Sequence, residues 1–132
     1  MAADYPFGVG VGKSPQLVGN YDQQLAGLDT HNTYLRCLTD MGFHGLFILC
    51  LLIVNYFRTL GIVARLANQL ENASDYHWHI YGLKVAMFSF LVVVTFVSAT
   101  YTEEFYWILM FPVMLKRSVE NQILLKTESV DT

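Results

Sequence analysis

Residues 41–57, MGFHGLFILCLLIVNYF, contain no Asp, Glu, Lys or Arg. An apolar run of about 18 residues is long enough to cross a bilayer as a helix, which satisfies its backbone polar groups internally. Residues 85–102 form a second charge-free run, rich in Val and Phe. A third, residues 105–115, is shorter. At 1.5 Å per residue it falls short of a hydrocarbon core of about 30 Å. It spans only by extending over Lys116 and Arg117, whose stems snorkel, and back over Glu103 and Glu104. The 132 residues are 54% hydrophobic and only 14% charged, where soluble domains average about 25% charged. The expected fold class is an all-α integral membrane protein. It has three transmembrane helices within residues 43–117, an extracytoplasmic segment over residues 1–42 and a cytoplasmic tail over residues 118–132.

Charge placement gives an orientation. The net charge of −3 says little, and nothing in it points to a nucleic acid partner. Of the eight Lys and Arg, only Lys13 and Arg36 precede the first run. Arg58, Arg65 and Lys84 lie between the first two, and Lys116, Arg117 and Lys126 follow the third. The positive-inside rule puts the N-terminal segment outside and the middle loop and tail in the cytoplasm. The turn over residues 100–104, with Glu103 and Glu104, then lies outside. The first forty residues show no basic n-region or early apolar run, so they read as a loop between spans of something longer rather than as a signal peptide.

FGVGVGKSP, residues 7–15, has the look of a phosphate loop. A P-loop reads G-x-x-x-x-G-K-[ST] after a buried strand. Gly12, Lys13 and Ser14 supply the end of it, but the first glycine position is Phe7, no strand-length segment precedes it, and an outside segment meets no ATP pool. A nucleotide site is excluded on those grounds. The glycines still give backbone N–H groups a possible approach to an anion, with a plain flexible turn as the alternative.

The densest information lies in DTHNTYLRCLTDMGFHG, residues 29–45. Asp29 or Thr30 is a natural N-cap for a helix that continues into the first span. His31, Leu35, Leu38, Gly42 and Gly45 advance by four, three, four and three, which sets them on one helical stripe. Two glycines on one face, each costing about 1 kcal/mol of helix propensity, imply close approach of another helix. The helix N-terminus favours an anion, and a neutral His31 beside it is suited to take a proton from a hydroxyl. Arg36 stands a turn below and has Asp40 at i+4, so a diphosphate ligand and an ordinary helical ion pair are both open for it.

H-N, nine residues, then G-x-x-G, met by His31, Asn32, Gly42 and Gly45, resembles the signature of the bacterial O-antigen ligase and polymerase superfamily. YPFGVGVGKSP, residues 5–15, is similar to the glycine-rich stretch that precedes the histidine in that family's large periplasmic loop. TYTEEFYWILMFPVMLKR, residues 100–117, resembles its final hairpin and last span. The resemblance implies the C-terminal part of a polytopic, GT-C-like bundle in the bacterial inner (cytoplasmic) membrane. The family transfers a glycan from undecaprenyl diphosphate to a sugar hydroxyl in lipopolysaccharide and related surface-polysaccharide biosynthesis, without metal or nucleotide cofactor. On that resemblance His31 is the base. From their own chemistry Asn32 is an orienter or cap, Arg36 and Lys13 are candidate substrate contacts with the ion pair to Asp40 still open for Arg36, and Gly42 and Gly45 pack helices. The arginines that hold the diphosphate in the family lie in earlier loops, so the chain reads as a truncated frame or one piece of a split enzyme, partnered by the rest. The alternative is a small three-span accessory or structural membrane protein without chemistry.

Other features read more plainly. Cys37 and Cys50, thirteen positions apart on what reads as one continuous helix, cannot meet in a disulfide. His77 and His79 in DYHWHI point to opposite sides of a helix, and no Cys or Glu completes a metal set. With Trp78 and Tyr81 they read as an interfacial belt, as do Tyr5 and Tyr34. Pro112 is expected to kink the last span.

Overall fold

Apolar side chains dominate three long segments, and in a computed structural model all three are helices. The structure describes residues 3–28, 30–99 and 103–130, among which there is no strand. After a four-residue helix α1 (Ser14–Leu17) and two short 3₁₀ turns come α2 (Thr33–Ala67), α3 (Ala73–Val93) and α4 (Glu103–Val130). The described residues divide between two compact units, one drawn from Met1–Leu51 and Phe90–Phe105, the other from Leu52–Ser89 and Tyr106–Thr132.

In the second unit, helical spacing sets the core. Tyr56, Leu60, Val63 and Ala67 form a buried stripe on α2, Tyr76, Ile80 and Met87 one on α3, and Val119 is buried on α4. The Tyr56 hydroxyl donates to the Leu83 carbonyl at 2.8 Å, tying α2 to α3. In the first unit Cys37 and Leu49 are buried on α2, and the Phe90 and Phe105 rings stack with centroids 5.7 Å apart.

All-α architecture is as expected, and α2 is the one described helix long and apolar enough to cross a membrane. The other two runs are used differently from the sequence reading. α3 starts twelve residues before residue 85, so its residues 73–84 hold Asp75, His77, His79 and Lys84. It stops at Val93, and residues 94–97 turn out of the helix. The end of that second run, residues 100–102, lies outside the described residues, as does most of the expected external turn. α4 carries the third run and continues through the polar tail as far as Val130.

α2 is also not the continuous rod expected between Cys37 and Cys50. Gly42 has φ 72° and ψ −168°, which is not helical, and the helix kinks there. Both cysteines are free, Cys37 buried and Cys50 exposed.

Candidate functional site

The N-terminus of α2 is built by two segments distant in sequence. Asn32 is its cap: Asn32 Oδ1 accepts the Leu35 N–H at 3.0 Å. The expected caps differ. Asp29 lies outside the described residues, and the Thr30 carbonyl accepts from Asn32 N–H (2.7 Å) and from the Ser98 hydroxyl. Thr33 docks this end onto residues 94–99. Its N–H donates to the Val94 carbonyl (2.9 Å), its hydroxyl donates to the Val97 carbonyl (2.7 Å), and the same oxygen accepts the Ala99 N–H (2.7 Å). The Tyr34 hydroxyl adds a bond to the Leu91 carbonyl at 3.0 Å. This clasp is the physical reason α3 ends where it does. Its downstream residues supply acceptors to helix-start donors that have none within α2. His31 stands exposed immediately before the clasped turn.

About two turns beyond Thr33, Asp40 is 2% exposed. A buried carboxylate is costly unless its lone pairs are satisfied. Asp40 Oδ2 accepts from Arg36 Nε at 3.1 Å and from the Gly12 N–H at 3.0 Å. Arg36 thus makes the helical i+4 pair, with 14% of its side chain exposed.

The second partner of Asp40 belongs to the glycine loop, residues 6–12, which is wedged into the break of α2. The Val9 N–H donates to the Thr39 carbonyl (2.9 Å) and the Gly10 N–H to the Asp40 carbonyl (3.0 Å), while the Phe43 N–H donates out to the Pro6 carbonyl (3.1 Å). Gly8, Gly10 and Gly12 all have positive φ, which costs glycine little. At Gly8 a Cβ would fall 2.3 Å from the Asp40 carbonyl oxygen, and at Gly42 it would fall 2.3 Å from that of Pro6. Backbone therefore lies directly on backbone at both positions. At Gly45 a Cβ would fall 2.3 Å from the Met41 Cβ, a crowding created by the kink. The G-x-x-G spacing serves the break: Gly42 admits the loop, and Gly45 admits the displaced Met41.

The anion cradles read from the sequence are accordingly occupied by the chain itself. Val9, Gly10 and Gly12 N–H groups bond α2, and Thr33 and Leu35 N–H groups at the helix start bond Val94 and Asn32. Lys13 is exposed at the start of α1. At the loop's outer edge the Tyr21 hydroxyl donates to Asp4 at 2.6 Å. That bond holds Asp4 below its ordinary carboxylate range and pushes Tyr21 up to about 12.

His77 and His79 are engaged separately. His77 Nε2 lies 2.9 Å from Asn68 Oδ1, and His79 Nδ1 donates to the Asp75 carbonyl at 2.7 Å. No group of three metal-ligating side chains occurs among the described residues. Between α3 and α4 runs a groove of about 670 Å³ with apolar walls, among them Trp78, Leu83, Phe111 and Met114.

Sequence reasoning missed Asp40 as the tie between loop and helix, and missed Thr33 altogether. The signal for Asp40 was present: a lone acid facing inward just before an apolar run needs a partner, and a glycine-rich loop is rich in unhindered N–H groups. Nothing local marks Thr33, because its partners lie more than sixty residues away. Compared with family models, with curated proteins and with solved structures, the chain matches none.

Proposed function

We propose that this chain is the C-terminal part of a membrane glycosyltransferase of the O-antigen ligase and polymerase type. It would move a glycan from undecaprenyl diphosphate to a sugar hydroxyl in surface-polysaccharide biosynthesis. The observation that carries the reading is His31, exposed at the end of α2 that Thr33, Ser98 and Asn32 hold in place. It is an imidazole on a braced helix start, next to open space, as a base for an incoming hydroxyl requires. In the reaction the acceptor oxygen bonds the anomeric carbon, His31 takes the hydroxyl proton, and the carbon–oxygen bond to undecaprenyl diphosphate breaks. With the loop N–H groups committed to α2, the diphosphate falls to cationic side chains. Lys13, exposed at the start of α1, and Arg36 are the contacts this reading assigns to it.

The same reading takes all three long helices as spans in the bacterial inner membrane, N-terminal segment periplasmic and C-terminus cytoplasmic. Large apolar side chains face outward on each: Phe47 is 63% exposed on α2, Phe88 67% on α3 and Met114 61% on α4. Side chains of that kind favour acyl chains over water.

The test is His31→Ala introduced at the native locus, with surface polysaccharide resolved by gel. A general base contributes about 10²–10⁴-fold, so the glycan-bearing bands are expected to disappear while the protein stays in the membrane fraction. An unchanged ladder overturns the proposal.

A further inference from the structure

We infer that the glycine loop and α2 form a two-state latch, in which release of residues 6–12 lets the helix close across Gly42. In an unbroken α-helix the Thr39 carbonyl accepts the Phe43 N–H. Here the same carbonyl accepts Val9 N–H, and Phe43 N–H donates to Pro6. Closing the helix therefore exchanges partners rather than abandoning them: Thr39 and Phe43 turn to each other, and Asp40 C=O turns from Gly10 to His44. Val9, Gly10, Gly12 and the Pro6 carbonyl then face solvent.

Three features make the two arrangements discrete. Gly42 is compatible with both, since glycine adopts helical and positive-φ backbone alike. The loop sits on α2 by backbone bonds, the Gly12–Asp40 bond and a tilted Phe7–His44 ring pair with centroids 6.1 Å apart, while its Phe7 and Val11 are 82% and 61% exposed. No buried apolar anchor from either side chain opposes its release. The Arg36–Asp40 pair lies wholly on α2, so the buried carboxylate keeps its cation when the loop leaves. Packed elements with two bonding arrangements switch between them instead of deforming continuously.

Amide hydrogen exchange on the full chain in nanodiscs separates this latch from ordinary fraying. Gly42→Ala places a methyl against the Pro6 carbonyl at a backbone angle alanine avoids, and so favours the closed helix. Val9 and Gly10 amides are expected to exchange at least ~10-fold faster than in the unaltered chain, while Phe43 stays protected by its new partner. Loss of protection at Val9 and Phe43 together, or unchanged protection at Val9, overturns the inference. Phe43→Pro covers the case in which Gly42→Ala does not fold. Proline there has no N–H and clashes with the carbonyl of residue 39 in a closed helix, so it holds the loop in place. Slower exchange at Val9 and Gly10, despite the lost bond to Pro6, supports the latch, and equal or faster exchange overturns it.

Discussion

Pro112 sits inside α4 and the helix runs on through it, whereas Gly42 sits inside α2 and the helix breaks. Proline is the stronger breaker in isolation, costing about 3 kcal/mol in a helix interior where glycine costs about 1 kcal/mol. The difference lies in what stands ready to receive the freed backbone groups. At Pro112 only the carbonyl one turn back loses its donor, and the buried ring fills its place against neighbouring side chains. At Gly42 a second strand of backbone lies alongside, and it takes up Thr39, Asp40 and Phe43. A helix breaks where other bonds are on offer, and residue propensity only permits it.

The largest test of that contrast is Gly8→Ala. Its methyl would sit 2.3 Å from the Asp40 carbonyl oxygen at a positive φ, so the loop cannot remain docked. Several bonds each worth about 1 kcal/mol net are then lost, and the loop's docking free energy is expected to fall by about 2–3 kcal/mol. Limited proteolysis reads this as new cleavage around residues 6–17. Resistance equal to the unaltered chain would mean the loop contributes nothing to the break.

Pro112→Ala should do far less. Alanine returns an N–H to the carbonyl one turn back but leaves part of a buried site unfilled, and the two offset to within about 1 kcal/mol. Thermal unfolding in detergent should shift by only a few degrees. A large loss would show that Pro112 is held by packing as specifically as Gly42 is held by the loop.

The smallest effect is electrostatic. Asp4 is held low by the Tyr21 hydroxyl, so its contribution is present above the unfolded carboxylate range and is lost as pH falls through its own depressed value. Tyr21 is raised to about 12, so its share is present below the ordinary phenol range and disappears as pH rises through about 12. Both groups are exposed, and only a slight loosening of the loop is expected at either extreme. Tyrosine absorbance titration of the unaltered chain against Tyr21→Phe would show one phenol missing from the high end. No such difference would mean that the bond does not persist in solution.

The helical class was legible because charge-free runs admit few alternatives, and the start of α2 was legible to within a few residues from its polar cluster. What stayed hidden was hidden for reasons of physics. Gly42 and Gly61 look alike in sequence and share a helix, yet only Gly42 breaks it, because residues 6–10 reach that point, whereas a Cβ at Gly61 would meet no other described segment within 4 Å. Residues 94–97 are as apolar as the helix before them. Composition does not record that the Thr33 N–H and hydroxyl claim that backbone, or that the Ser98 hydroxyl next to it donates to the Thr30 carbonyl. The loop's glycines answer equally to a phosphate and to a carboxylate from the same chain, since both want unhindered N–H groups. The segment after residue 117 read as a tail for its polarity, but it is helical, and it buries Val119.

The clasp at Thr33 sets a timetable for the newly made chain. Its partners at Val97 and Ala99 are synthesised more than sixty residues later. At about 5–20 residues per second, roughly 3–13 s pass before they exist. Until then the first turn of α2 waits with its donors in water, and His31 stands on an unbraced end. The proposed base therefore takes up its position late, after the helix that carries it has been complete for some time.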